Sequence, residues 1–182
     1  ESKVQKLKEL RDLGVNPYPY KYNQTDHAQE INQKFAFLEK GEHTKSKVSV
    51  AGRVMLKRIM GKAGFLHLQD QSGRIQIYIS MDSLGEKQYE VFSKKIDLGD
   101  IVGFEGTVFK TKMGEVTVEA GSATLLCKSL LTLPEKYHGL QDVELKYRQR
   151  YLDLMMNPET KGVFLKRSKM LSVIRKFFEE IV

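Results

Sequence analysis

At 182 residues, 41 % hydrophobic and 29 % charged, the chain is long enough for one domain with flanking elements and has an ordinary globular balance. A formal charge of +7 suits an anionic partner without requiring one. The single cysteine, Cys127, excludes an intrachain disulfide and points to a reducing, cytoplasmic setting. No apolar run nears the ~18 residues of a membrane span, and no signal-peptide pattern opens the chain.

The charge is uneven: +1 over residues 1–46, +2 over 47–127 and +4 over 128–182. These ranges are the expected regions: an N-terminal helical extension, a barrel domain, and linker helices leading away from it. Residues 47–69 hold Lys47, Arg53, Lys57, Arg58 and Lys62 and no acid. The first residue is Glu1, not Met, and Val182 falls inside an apolar-periodic run. Both ends read as cut, so a piece of a longer protein is expected.

In chain order, Val4, Leu7, Leu10 and Leu13 recur at helical spacing and Gly14 stops the run. Lys3, Lys6, Lys8 and Arg11 fill the other face. Two readings stand: a basic helix lying on RNA, or the solvated face of a packing helix. Pro17 and Pro19 enforce an extended segment. A second helix is expected over residues 27–39, capped by Thr25 or Asp26 and ended by Gly41. His27 and His43 have no metal-spaced partners and are assigned no chemistry.

Val48, Val50 and Val54 alternate as a first strand, with Gly52 permitting a bend. Leu66 and Leu68 alternate in a second, and Ile75, Ile77 and Ile79 in a third. Ser72-Gly73 reads as a two-residue turn that pairs Leu68 with Ile77 and Leu66 with Ile79, keeping the apolar residues on one face. Residues 84–96 read as one helix. Ile101, Val102 and Phe104 open a fourth strand. Lys112-Met113-Gly114-Glu115 turns the chain into a fifth, Val116 and Val118, with Cys127 as a small buried residue at its end.

Three strands, a helix, then two strands is the order of the five-stranded OB-fold barrel. The expected class is therefore an all-β core with flanking helices. In that fold a ligand lies across strands two and three, flanked by the loops joining strands one to two and four to five. Here those loops are expected at residues 58–64 and 111–115. After the barrel, Leu133-Pro134 breaks the chain. Residues 144–156 then read as one helix, and Asn157-Pro158 starts another whose apolar stripe runs from Phe164 to Ile181. That stripe is too wide for an isolated helix and needs something to pack on.

Catalytic patterns are absent: no nucleophile elbow, no cysteine metal cluster, no phosphate loop and no dinucleotide fingerprint. Gly61-Lys62-Ala63-Gly64 is too short to cradle phosphate. What remains is the outward face of the hairpin, with Phe65, His67, Gln69, Gln76 and Tyr78. An aromatic beside amides suits unpaired bases, which stack on the ring and present their edges to the amide. Arg58 can hold a phosphate or a base edge. With the two-residue turn, Phe65 lies four residues from the partner of Gln76, so one base touches both only if the strand bulges.

Several stretches are more specific. They are Lys57-Arg58-Ile59-Met60-Gly61-Lys62-Ala63, Leu68-Gln69-Asp70, Gly73-Arg74-Ile75-Gln76, Leu98-Gly99-Asp100-Ile101, Lys110-Thr111-Lys112 with Gly114-Glu115, and His138-Gly139-Leu140. Above all there is Tyr147-Arg148-Gln149-Arg150-Tyr151-Leu152-Asp153-Leu154. On these, nearly the whole chain resembles the bacterial lysyl-tRNA synthetases of class II, in the subgroup shared with the aspartyl and asparaginyl enzymes.

The resemblance implies an anticodon-binding barrel on the N-terminal side of an ATP-dependent catalytic domain. It implies that Phe65 stacks on the middle anticodon uridine, that Gln76 hydrogen-bonds it, and that Arg58 and Glu115 contact neighbouring anticodon bases. An acid there acts by accepting from a base amino or imino group. It further implies a homodimer through a motif 1 helix beginning near Phe164. The partner would be the anticodon stem-loop of tRNA(Lys), with no membrane involved. ATP and Mg2+ would serve the parent ligase, whose motifs 2 and 3 would lie beyond Val182. This piece would then be inactive by itself, with no ATP or Mg2+ bound to it. Two alternatives stay open: the same part of an aspartyl or asparaginyl enzyme, or a free-standing barrel binding single strands.

Overall fold

The computed structural model describes residues 2–133 and 142–181. The expected break at Pro134 and the His138-Gly139-Leu140 motif lie outside the described residues. The chain forms two compact units, Glu1–Thr132 and Leu133–Val182.

In the first unit five strands close on themselves in the order β1-β2-β3-β5-β4. They are β1 (His43–Met60), β2 (Ala63–Gln69), β3 (Arg74–Ser80), β4 (Ile101–Lys110) and β5 (Val116–Cys127). All neighbours are antiparallel except β3 and β5. This is the expected OB-fold order, and closure leaves no free sheet edge. β1 starts five residues before the first valine of its pattern. Its first half pairs with β4 and its second half with β2; Arg53 is paired on both sides. The strand must therefore pass close to β2 where it changes partner. A Cβ on Gly52 would stand 2.9 Å from the Gln69 carbonyl oxygen, so only glycine fits there.

Alternation decides which side chains fill the barrel. Leu66, Leu68, Ile75, Ile77, Ile79, Val102, Phe104, Val108 and Val118 are buried, and the residues between them on β2 and β3 are not. Each fully buried side chain of this kind contributes roughly 1.5–3 kcal/mol. Two helices precede the barrel: α1 (Lys3–Asp12) and α2 (Ala28–Lys34). Leu7 and Leu10 of α1 are buried, and Lys3 and Lys6 turn inward to Leu98 O and the Asp97 carboxylate. Half of its basic face is thus occupied by packing. α2 is shorter than expected. Thr25 and Asp26 bond to Ser49 on β1 instead of capping it, and His27 is the capping residue.

The expected single helix over 84–96 is two, α3 (Met81–Leu84) and α4 (Glu86–Lys94). Gly85 between them has φ +78°, a left-handed turn that a continuous helix cannot contain. Cys127 is half-buried rather than buried, at the end of β5, where it pairs with Ile101 of β4.

The hairpin register also differs. Leu68 pairs with Ile75 and Leu66 with Ile77, two positions from the expected pairing. The turn is four residues, Asp70 to Gly73, because the Asp70 carboxylate accepts from the Ser72 and Gly73 amides at 2.7 and 2.8 Å. Its other oxygen accepts from the Ala28 amide of α2 at 2.8 Å. A shift of two leaves the faces unchanged, which is why the apolar pattern could not choose between the registers.

The loop between α4 and β4 gathers cations from distant parts of the chain. Lys128 is fully buried and donates to Asp97, Asp100 and the Lys95 carbonyl at 2.7–2.8 Å. Lys57 donates to Ile96 O at 2.6 Å and Arg53 to Gly99 O at 2.7 Å. Burial pushes the Lys57 ammonium down to about 8, against the pull of Asp97.

The second unit holds α5 (Val143–Arg148), α6 (Arg150–Met156) and α7 (Pro158–Ile181). The expected helix over 144–156 breaks at Gln149, whose ψ of 58° is not helical. Arg150 lies over the rings of Tyr147 and Phe164, at 4.9 and 5.5 Å, and pairs with Asp153. Asp153 also accepts from Asn157 at 2.6 Å. The Tyr147–Leu154 signature is thus a clasp that ties three helices.

Replacing Lys128 with alanine leaves the buried Asp100 carboxylate without its cation, while Asp97 keeps Lys6, and should cost about 3–5 kcal/mol in urea unfolding. Lys57 acts in the opposite sense. Its folded value lies below the ordinary 10.5, so the unfolded chain holds more protons between about pH 8 and 10.5 and stability rises with pH through that window. Lys57→Met should flatten that rise when urea midpoints are compared at about pH 7 and about pH 10.

Candidate nucleic-acid interface

Pairing across the sheet sets the outward residues in two adjacent rows. In the first, Arg58 of β1 faces Phe65 of β2, which faces Tyr78 of β3, which faces Glu119 of β5. In the second, His67 faces Gln76, Gln76 faces Thr117, and Thr117 faces Phe109 of β4.

Arg58 was expected in the loop between the first two strands. It lies within β1, because the connection shrinks to Gly61-Lys62, with Gly61 at φ +60°. Strand pairing therefore fixes the guanidinium's base beside Phe65. Arg58 is exposed and has no hydrogen bond or ion pair to the described residues. Phe65 is half-buried against Tyr78, with ring centroids 5.1 Å apart and planes tilted by 49°. The observed register brings Gln76 to within two residues of Phe65 along the hairpin, roughly 7 Å, rather than four. No bulge is needed for one base to meet both.

Gln76 is held on three sides. Its amide nitrogen donates to Glu115 Oε2 at 2.5 Å and lies 3.2 Å from His67 Nε2. Its amide oxygen accepts from the Thr117 hydroxyl at 2.8 Å. An ionised carboxylate only accepts, so Glu115 determines which way the amide points. Glu115 comes from the loop between β4 and β5, which is closed by Thr111 N to Glu115 O at 2.9 Å and by Gly114 at φ +95°. The sequence-derived residues Phe65, Gln76 and Glu115 thus converge, with Arg58 on the far side of Phe65.

This arrangement offers a ring to stack on, a donor–acceptor amide for a base edge, one acid to accept from a base, and an exposed arginine beside the ring. Thr117 and Phe109 were missed by the sequence reading. Alternation with buried Val108 and Val118 would have placed both on the outer side of the sheet, where Thr117 is nonetheless fully buried. His67 was seen as outward-facing, but its approach to Gln76 depends on the register. Among the described residues no cluster of three histidine, cysteine or carboxylate side chains could hold a metal, and no helix is long and apolar enough to cross a membrane.

Residues 48–126, which hold the closed five-stranded barrel, match the tRNA anti-codon family, described as an OB-fold nucleic acid binding domain. Almost the whole chain is similar to lysine–tRNA ligases. It is 49 % identical over 177 residues to that of Bacillus subtilis, covering 96 % of this chain and 35 % of the relative. It is 50 % identical over 180 residues to that of Staphylococcus saprophyticus, covering 97 % and 36 %. Against the lysine–tRNA ligase of Methanoculleus marisnigri it is 48 % identical over 181 residues, covering 98 % and 35 %. The resemblance to lysyl-tRNA synthetases therefore holds, and the chain spans about a third of the length of these relatives.

Phe65→Ala should weaken binding of an RNA with unpaired loop bases by roughly 1–3 kcal/mol in a fluorescence titration. The far-ultraviolet circular dichroism should not change, since Phe65 lies outside the core.

Proposed function

We propose that the chain is the anticodon-reading part of a lysine–tRNA ligase. The observation that carries this reading is the placement of Phe65 and Gln76 in adjacent rows of one hairpin, with Arg58 across from the ring. A uracil stacked on Phe65 presents an imino donor and carbonyl acceptors to the Gln76 amide, which offers both complements. Glu115 accepts from a neighbouring base, and Arg58 holds a phosphate or base edge beside Phe65. The high similarity to lysine–tRNA ligases favours lysine over the aspartyl and asparaginyl enzymes as the parent.

In the parent, ATP with Mg2+ would supply the activation of lysine as an adenylate. The described residues present no cluster fitted to that metal, so no step of that chemistry is assigned to them. The partner is the anticodon stem-loop of tRNA(Lys), in the cytoplasm. A homodimer through α7 goes with the same reading. Its apolar residues Leu171, Ile174, Phe177 and Phe178 are each at least half exposed.

The test is affinity for a tRNA(Lys) anticodon stem-loop, unaltered and with its central uridine replaced. The expected outcome is a loss on replacement of roughly tenfold or more, because the amide is left with a mismatched edge. Equal binding of both RNAs would overturn the assignment of Phe65 and Gln76.

A further inference from the structure

The aromatic surface continues past Phe65. The Phe109 ring lies 6.1 Å from that of Tyr78, edge-on at 80°. His43 stacks on Phe109, with ring centroids 4.7 Å apart and planes within 7° of parallel. Four rings in contact thus cross the outer surface from β2 to the start of β1. His43 is the last of them, and its side chain is 61 % exposed. One face of the imidazole covers Phe109, and the other is open to solvent. The barrel core does not require this stack, because the inward residue beside it is the fully buried Val108.

The chemistry around the open face favours a base. Glu119 Oε2 lies 3.7 Å from His43 Nδ1, in contact with the ring's edge. A carboxylate there repels a phosphate and accepts from a base amino or imino group. Cations stand at the rim instead. Lys45 is two residues further along β1. Lys40 Cε lies 3.4 Å from the point a Cβ on Gly114 would occupy, at the tip of the loop that carries Glu115. Lys40, Lys45 and Lys112 are exposed and have no ion pair among the described residues. An aromatic floor with a basic rim is the general form of a single-strand path.

We propose that the His43–Phe109 stack is a second base-binding platform, which takes one further unpaired base of the RNA whose central base lies on Phe65. The proposal rests on the anticodon reading above. Stacking on such a ring tolerates any base, so the platform adds affinity and fixes the path of the strand without adding a letter to the code.

The test uses the whole chain and stem-loops carrying one abasic nucleotide at each loop position in turn. Wild type, His43→Ala and His43→Phe are compared, with thermal melts confirming that each is folded. One position other than the central one should weaken wild-type binding roughly tenfold when abasic. The same RNA should cost His43→Ala little, and His43→Phe should behave as wild type. The proposal is overturned if His43→Ala binds the unaltered stem-loop as wild type does, or if every abasic loss is equal in the two proteins. In those cases discrimination of the central uridine survives and the anticodon reading stands. A wild type indifferent to the central uridine overturns both.

Discussion

The interface depends on one carboxylate. Asp70 accepts from the Ser72 and Gly73 amides, from the Ser72 hydroxyl, and from the Ala28 amide at the start of α2. Burial would raise this carboxyl, but the four hydrogen bonds outweigh it and hold it below its ordinary range. The bonds within the turn make it four residues long. The bond to Ala28 fastens the turn to a helix 42 positions earlier in the chain. Turn length sets the hairpin register, and the register sets Gln76 opposite His67 instead of two positions away. Were the turn two residues long, the barrel would keep its core and the ring and the amide would be too far apart for one base.

The second requirement is an amide already oriented. Glutamine presents oxygen and nitrogen with nearly equal shape, so a free side chain offers a base either edge. Here Glu115 accepts from the nitrogen and Thr117 donates to the oxygen, and both come from strands or loops other than that of Gln76. The ordering cost is met in folding rather than in binding. Glu115 is also the one acid among the residues assigned to the site. A phosphate is kept away from the amide, while the exposed Arg58 invites one on the other side of Phe65.

The faces of the barrel were legible in the sequence because alternation is a local signal. Leu66, Leu68, Ile75 and Ile77 announce their side of the sheet without help from the rest of the chain. What was not legible came from contacts distant in sequence or from single backbone angles. The register needed the Asp70–Ala28 bond. The place of Arg58 inside β1 was hidden by the irregular pairing between Val54 and Leu56, which interrupts the alternation just before it. The start of β1 at His43 was hidden because His43 to Lys47 is polar throughout, so no apolar period marks it. The two broken helices had apolar spacing good enough to read through Gly85 and Gln149. In each, one residue's dihedral angles decided against the pattern.

Net charge proved a weaker guide than its sign suggests. Five of the cations, Lys3, Lys6, Arg53, Lys57 and Lys128, converge on residues 96–100 and hold the loop between α4 and β4. They brace α1, β1 and the segment after β5 against one another and are not available to a phosphate. The excess of Lys and Arg over residues 47–69 is therefore partly structural, with Lys57 and Arg53 turned to backbone carbonyls while Arg58 alone of that group flanks Phe65. The outer face thus presents rings and a fixed amide, with Arg58 beside Phe65 and Lys40, Lys45 and Lys112 at the rim. On the proposed anticodon reading, such a site takes its affinity mainly from stacking and hydrogen bonds to unpaired bases, and salt should weaken it less than the composition of the chain implies.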